Sequence, residues 1–451
     1  PVSTPTSRAL PTLSYQEGRL RMDEISRRES LPSLRTITQA YRIEGPFDPA
    51  ALRSALREVV GRHAALRTTF TGGPHQQHVR DQAEPRLDER SVAGEADPEA
   101  AAVRAAREAA LAPFAADEAP RLRATLITLS EADRVLVLAF DHLVVDAWSR
   151  GLVLEELGAC YRASRAGEAS GLPEVEYGYQ DHIRDQQELL TGPEYERLLS
   201  YWSKALDGTG AIPRLVTGRA GAGLPVDCGT AVVRMPAPLA DEVRALASRE
   251  RSTLFLVVLT ALQVALRLHG GGSDQATAVN LYNRDTLGTE RLVAPLAELM
   301  VVRVDSAGAV TFRDALRLVR DGTLDAQEHA GLPYPELVKA LNPAEYARPD
   351  APVGVVLNML YAELLGGAFD TADATCTPFT VPQTAARPRS ELMVVGSSGP
   401  DGLDLSARYQ SDRVDAGFVT RLLDTLVEIL TTAARRPDVP LAELAAAPVR
   451  P

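Results

Sequence analysis

The chain is short of cysteine, of positive charge and of long apolar runs. Its three cysteines, Cys160, Cys228 and Cys376, lie far apart in 451 residues, with no CxxC pair and no Cys/His ligand spacing, so a structural zinc site is not expected. A sparse, odd set of cysteines suits a reducing compartment, and the expected location is the cytoplasm. Lysine and arginine number 48 against 60 acidic residues, a net charge of −12. That argues against a nucleic-acid binder, which needs clustered positive charge to release counterions, and against adhesion to acidic membranes. The longest apolar segment, Leu254 to Leu266, is too short to span a bilayer and is interrupted by Gln263, so it reads as a core helix. Pro1 to Leu13 lacks the apolar core of a signal peptide. The chain begins without Met and reads as a trimmed or excised piece.

What is present is a globular composition, 45% apolar and 24% charged, in a chain too long for one ordinary core; two lobes are expected. Pro1 to Pro11 reads as a loose leader, and Ser14 to Leu20 as the start of ordered structure. Thr36 to Glu44 alternates like a strand, and Asp48-Pro49 starts a helix by its capping pattern. Gln76 to Arg80 reads as an edge strand, Asp97-Pro98 caps an Ala-rich helix to about Leu111, and Arg121 to Leu129 is a strand. The linker Arg165 to Pro173 divides residues 1–175 from residues 176–451. Tyr179 to Leu206 reads as one charged helix. The second half repeats the grammar of the first: strands at Thr230 to Met235, Gln275 to Tyr282, Met300 to Asp305, Val353 to Tyr361, Glu391 to Gly396 and Leu403 to Gln410, with helices between and a closing helix from Val414. The class is α/β in two similar-sized halves.

One stretch concentrates polar chemistry where a core should refuse it. The β-branched run Val135 to Phe140 is a strand buried on both faces, and Gly151 to Tyr161 has helical spacing. At the handover stand Asp141, His142, Asp146, Ala147, Trp148 and Ser149. On one reading Asp146 caps the helix, Ser149 lies in its first turn, Trp148 packs and His142 is a satisfied core histidine. On the other, His142 is a base or positioning group near neutral pH, and Asp146 holds a loop arginine in an ion pair.

Asp141-His142-Leu143-Val144-Val145-Asp146-Ala147-Trp148-Ser149 resembles the active-site signature of the condensation domains of nonribosomal peptide synthetases, within the chloramphenicol-acetyltransferase-like acyltransferases. Other stretches follow in the family's order: Leu13-Ser14-Tyr15 with Arg19-Leu20; Arg62 to Phe70, a close match; Tyr179 to Asp181; Pro295 to Arg303; His329 to Val338, a good match; and Tyr409 with Asp412 and Asp415. The resemblance implies two acetyltransferase-like lobes in a V-shaped pseudo-dimer with a tunnel at their junction. It implies an acyl or peptidyl thioester on the 4′-phosphopantetheine arm of a donor carrier protein. An amine nucleophile attacks it, carried by a second carrier or free, and an amide forms. No permanently bound cofactor or metal is implied. By the same analogy His142 orients or deprotonates the amine, and Asp146 pairs with an arginine, for which Arg62 and Arg67 are the candidates. The backbone around Ala147 then helps to stabilise the oxyanion. Arg19, Arg21, Arg27 and Arg28 are the expected basic spots for carrier docking.

Three departures open alternatives. Asp141 stands where the family has a first histidine, Ala147 where it has glycine, and Pro295 to Leu299 departs from the family's fifth motif. Asp141, Asp146 and Ser149 also fit the pattern of heterocyclisation domains, which condense, cyclise a Cys, Ser or Thr side chain and dehydrate. Motif decay fits a third relative, a non-catalytic domain that recruits tailoring oxygenases such as cytochromes. Elsewhere His63 reads as packing, His75 and His78 as solvated, His182 and Asp181 as surface groups, and His329 as structural. Glu17, Glu298 and Asn358 are lesser candidates for a tunnel lining, and Arg387 and Arg389 for a phosphate contact.

Overall fold

Period-two apolar patterning builds three sheets in the computed structural model, which describes residues 7–28, 35–71, 76–208, 215, 228–284, 286–347, 353–361, 369–381 and 390–444. In chain order the strands are β1 (Ser7–Pro11), β2 (Thr36–Glu44), β3 (Thr68–Thr69), β4 (Gln76–Arg80), β5 (Arg86–Ser91), β6 (Leu122–Ser130), β7 (Asp133–Asp141), β8 (Cys228–Pro236), β9 (Asp274–Leu281), β10 (Glu298–Asp305), β11 (Val353–Tyr361), β12 (Thr375–Pro378), β13 (Ser390–Gly399) and β14 (Gly402–Gln410). The sheets are ordered β1-β4-β3, β12-β2-β7-β6-β5 and β10-β9-β11-β13-β14-β8.

The chain forms two compact units. The first is Pro1–Thr191 with Tyr282–Ala297 and Glu363–Ala386; the second is Gly192–Leu281, Glu298–Ala362 and Arg387–Pro451. A single cut after residue 175 therefore misplaces three pieces: the helix Tyr179–Thr191 and two later segments join the first unit. Burial explains why. Tyr179, Ile183, Leu292, Val293, Leu296 and Phe369 all sit in the first unit's core. Each such apolar side chain contributes roughly 1.5–3 kcal/mol when fully buried. No break in composition announces those crossings.

The two larger sheets contain the same four-strand motif. In the first unit β2 pairs antiparallel with β7, β7 antiparallel with β6, and β6 parallel with β5. In the second β8 pairs antiparallel with β14, β14 antiparallel with β13, and β13 parallel with β11. In each unit the last strand of the hairpin leads through five residues into a 20-residue helix, Ala147–Ala166 or Ala416–Arg435. Each of these packs on the helix that follows the unit's first motif strand, Pro49–Arg62 or Ala237–Arg249. The apolar helix Leu254–Leu266 is buried from Leu256 onward and serves as a core helix of the second unit.

Local expectations differ from the structure in three places. Ser7–Pro11 is a strand: it pairs with β4 in full register, and β4 is thereby the central strand of its sheet, not an edge. Tyr179 to Leu206 is two helices, Tyr179–Thr191 and Pro193–Ala205, because Pro193 has no N–H to continue the first and is suited to open the second after Gly192. The strands β5 and β12 are too short and polar to stand out in the sequence.

Candidate active site

The handover from β7 to the helix Ala147–Ala166 is a tight turn. The N–H groups of Val144 and Val145 both donate to the Asp141 carbonyl, at 3.1 and 3.2 Å. Asp146 is in extended conformation at the helix N-cap, and its carboxylate accepts from the Ser149 N–H at 2.8 Å. Leu143, Val144 and Val145 are buried in the first unit's core, which anchors the turn, while His142 is only half-buried.

His142 is held at both its backbone and its ring. Its backbone N–H donates to the Arg35 carbonyl at 2.6 Å, which fixes the residue at the strand end. Its Nδ1 lies 2.9 Å from the Val145 carbonyl oxygen. A carbonyl can only accept, so the hydrogen belongs on Nδ1, and in the neutral ring Nε2 is the basic nitrogen. The Tyr15 hydroxyl lies 3.1 Å from Nδ1 and 3.4 Å from Nε2. Tyr15 is in turn covered by the Arg19 guanidinium, 5.0 Å from the ring centroid.

On one side of the histidine, Asp141 is fully buried and clamped. It accepts from Arg35 Nε at 3.2 Å and Nη2 at 2.8 Å, from Arg121 Nη1 at 3.1 Å and from the Leu143 N–H at 3.0 Å. Arg35 also pairs with the buried Asp23, so two guanidiniums and two carboxylates balance. Burial alone would lower the Arg35 pKa, but the two carboxylates outweigh it and raise the value. Burial pushes Arg121 down to about 10, with Asp141 opposing, and it stays charged at neutral pH. Three more of its N–H groups are used by the carbonyls of Thr68, Ala115 and Ala116.

On the other side, Asp146 ties the turn to the segment Tyr282–Ala297. Arg284 Nη2 lies 3.0 Å from both of its carboxylate oxygens, and the N–H groups of Leu296 and Ala297 donate to Oδ2 at 3.0 Å. Ser149 completes the clasp: Oγ donates to the Ala294 carbonyl at 2.8 Å and accepts from Arg284 at 2.9 Å. Trp148 donates from Nε1 to the Glu290 carbonyl at 2.9 Å, and its ring lies 6.3 Å from that of Tyr282. Asn283, whose φ of 49° is a conformation asparagine tolerates, donates to the Leu296 carbonyl at 3.0 Å and shapes the bend that presents Arg284. Ala147 opens the helix and is half-buried.

The profile of the condensation domain matches residues 7–449 of this chain. The chain belongs to the condensation-domain family. It is 30% identical over 444 residues to a linear gramicidin synthase polypeptide of Brevibacillus parabrevis, covering 97% of this chain and 6% of that one. It is 31% identical over 428 residues to the phosphinothricin tripeptide synthetase PhsB of Streptomyces viridochromogenes, covering 91% of this chain and 35% of that one. The chain thus spans a small part of the length of the synthetases it matches. Among solved structures it is similar to the X-domain from teicoplanin biosynthesis, at TM-score 0.80 and 26% identity over 98% of each chain. The same fold appears in the complex of the X-domain and OxyB, at TM-score 0.81 and 24% identity over 98% and 97%. The α/β architecture with two acetyltransferase-like lobes is that of this family, and the domain type is that of nonribosomal peptide synthetases.

Within this condensation domain the structure gathers Asp141, His142, Asp146, Ala147, Trp148 and Ser149 at one turn and separates Arg62 and Arg67 from it. The arginine on Asp146 is Arg284, 138 positions away in sequence, and neither of the two expected candidates. Arg62 is held by Glu156 at 3.1 Å and by the Pro173 carbonyl. Arg67 donates to the carbonyls of Val60, Arg80 and Asp81. Both secure the helix Pro49–Arg62 and the 3-10 turn after it. His63 packs, as expected, and is also hydrogen-bonded: its Nε2 lies 2.6 Å from Glu156. Burial would raise the Glu156 pKa, yet the hydrogen bond and charge of His63, together with Arg62, hold it below the ordinary value of 4.5.

His182 is half-buried, not solvated. Burial, with the Arg284 charge added and Asp185 opposing, pushes its pKa down to about 4, so the ring is neutral at neutral pH. Asp181 instead fastens its own helix start, accepting from the Gly178 N–H at 2.9 Å. His329 stacks on Tyr201, with ring centroids 3.6 Å apart. His75, Arg387 and Arg389 lie outside the described residues, as do the side chains of Arg27 and Arg28. Sequence reading missed Arg35, Arg121, Arg284 and Gln16. Gln16 is buried and donates to the Leu143 carbonyl at 2.9 Å, joining the helix Ser14–Arg28 to the active turn. Asn283-Arg284 after a strand was the one available signal.

Proposed function

We propose that this condensation domain forms an amide between a carrier-bound acyl or peptidyl thioester and an amine, acting in the cytoplasm. The observation that carries the reading is the half-buried His142 ring, with Nδ1 committed to the Val145 carbonyl and Nε2 left as its basic atom. The amine nitrogen attacks the thioester carbonyl carbon, and Nε2 takes or orients its proton. The tetrahedral oxyanion collapses, the C–S bond breaks, and the proton is returned to the leaving pantetheine thiolate. A thioester is already activated, so the chain supplies orientation and electrostatics. The helix N-terminus at Ala147 places partial positive charge near the histidine, where the oxyanion develops. Asp146 and Asp141 serve by fixing the turn: both carboxylates are spent on buried guanidiniums. That structural role accounts for the aspartate at 141 without heterocyclisation.

The test is an intact-mass assay with loaded donor carriers and candidate amines. A linear amide is expected, lost in His142→Ala. A product lighter by one water would instead assign heterocyclisation, and turnover unchanged in His142→Ala would remove the proton-transfer role.

A second reading is recruitment of a tailoring enzyme. What supports it is the likeness to the teicoplanin X-domain, together with the replacements at Asp141 and Ala147. It predicts a stable complex with such an enzyme and no acyl transfer. Turnover without complex formation would sink it.

A further inference from the structure

The helix Ser14–Arg28 meets the active turn through two adjacent bridges. Tyr15 faces His142, its hydroxyl 3.1 Å from Nδ1 and 3.4 Å from Nε2. One residue further along both segments, Gln16 Nε2 donates to the Leu143 carbonyl at 2.9 Å. This second bridge is buried and braced. Gln16 Nε2 also donates to the Tyr179 hydroxyl at 2.5 Å, and that hydroxyl donates to Gln77 Oε1 at 2.7 Å. Gln16 Oε1 accepts from the Leu13 N–H at 2.9 Å, and the Ser14 N–H donates to Gln186 Oε1 at 3.0 Å. Leu13, Gln16, Gln77 and Tyr179 are all buried. The residues on both sides of Tyr15 are therefore fixed, and the Arg19 guanidinium lies over its ring at 5.0 Å. The phenol is held against the imidazole, with its O–H free to turn about the C–O bond.

Counting hydrogens gives that hydroxyl two roles. A neutral imidazole has one accepting nitrogen, and Nδ1 keeps its hydrogen on the Val145 carbonyl, so the Tyr15 proton can point only at Nε2. Once Nε2 has taken a proton, both ring nitrogens are donors. The phenol oxygen then accepts from Nε2, and its own proton is free for another acceptor. At 3.4 Å the contact is long for a neutral ring, and a charged imidazolium draws its acceptor closer. The ring itself cannot swing to deliver a proton elsewhere, because its backbone N–H and its Nδ1 are tied to the carbonyls of Arg35 and Val145. The hydroxyl can turn without breaking either tie.

We infer that Tyr15 is a proton relay in amide formation, carrying the amine's proton from His142 to the leaving pantetheine sulfur. As the C–N bond forms, Nε2 takes a proton from the amine nitrogen. As the C–S bond breaks, Nε2 gives that proton to the Tyr15 oxygen, and the Tyr15 hydroxyl proton passes to the sulfur. The thiol leaves neutral, and histidine and tyrosine end as they began. Positioned proton transfer of this kind is a role that tyrosine can fill. The inference rests on the acyl-transfer reading and adds to it the path of the returned proton.

The experiment is single-turnover amide formation by the full chain, read by intact mass in mixtures of water and deuterium oxide. Tyr15→Phe keeps the ring under Arg19 and removes only the hydroxyl, so its unfolding temperature should match that of the parent chain. Its rate should fall by about tenfold or more, but less than in His142→Ala, because the imidazole can still take up the amine proton. The parent rate should follow deuterium content along a curve, since more than one proton moves at once, and the Tyr15→Phe rate along a straight line. A hydroxyl that only held the ring would lower the rate and leave the shape unaltered. Added to His142→Ala, Tyr15→Phe should cost nothing further, because the relay acts through that ring. An unchanged rate in Tyr15→Phe, or the same dependence on deuterium in both chains, overturns the relay and leaves the acyl-transfer reading standing. Full turnover in His142→Ala removes that reading, and the relay with it.

Discussion

The turns after β7 and β14 are the same backbone device with different contents. In the first, Val144 and Val145 donate to Asp141; in the second, Arg413 and Val414 donate to Gln410, at 3.0 and 2.8 Å. Each ends at an aspartate N-cap, Asp146 or Asp415, whose carboxylate takes an N–H three residues on at 2.8 Å. Yet the first turn presents His142 between two buried, charge-balanced clamps, whereas the second presents Ser411 and leaves its capping aspartate exposed. The fold supplies the turn, and on the proposed amide-forming reading the ion pairs around the first copy are what hold its histidine still. Precision of this kind matters because a small displacement of a catalytic group costs rate steeply.

The sharpest way to break that comparison is to remove the reactive group from one turn and the corresponding side chain from the other. His142→Ala should cut amide formation by about 10²–10⁴-fold, the usual worth of a positioned acid–base group. Ser411→Ala should leave turnover unaltered; the mass assay reads both. Equal effects would mean that the first turn is not special.

Next come the clamps. Asp141→Ala leaves Arg35 and Arg121 buried beside an empty place and should cost roughly 3–5 kcal/mol in urea unfolding of the full chain. The equivalent change in the second turn, Gln410→Ala, removes a neutral group and should cost about 1–3 kcal/mol. Asp146→Ala should lie in the range of Asp141→Ala, because it loses both a cap and the Arg284 pair. Asp415→Ala loses a cap alone, about 1 kcal/mol, and should not touch acyl transfer. If the two cap substitutions cost the same, the Arg284 pair contributes nothing.

The smallest effect is a pH dependence confined to the first unit. Glu156 has a folded pKa below its ordinary 4.5, so the unfolded chain binds its proton first as the solution is acidified. Its stabilising contribution is complete above about 4.5 and is lost as pH falls through the lower folded value. Glu156→Gln should flatten the acid limb of the stability curve, read by thermal unfolding at a series of pH values. An unchanged limb would show that the His63–Glu156–Arg62 cluster is not coupled to folding.

Much of this was legible along the chain. Val135 to Phe140 could only be a buried strand, Asp48-Pro49 and Asp97-Pro98 could only open helices, and both caps form as the pattern requires. The polar residues after Phe140 marked the active turn because a core tolerates such groups only where something holds them. What could not be read was who holds them. Asp146 offered no clue that its partner would be Arg284 and not Arg62 or Arg67, since an ion pair between distant positions leaves no periodicity in sequence. Asp141 read as an anomaly until Arg35 and Arg121 were placed around it.

Sequence by itself therefore determined most of the secondary structure, the repeated strand-and-helix grammar and the position of His142, because these follow from local hydrophobic period, capping and turn chemistry. Tertiary structure alone decided which segments share a core and which guanidinium meets which carboxylate, because those depend on burial and on charges brought together from far along the chain.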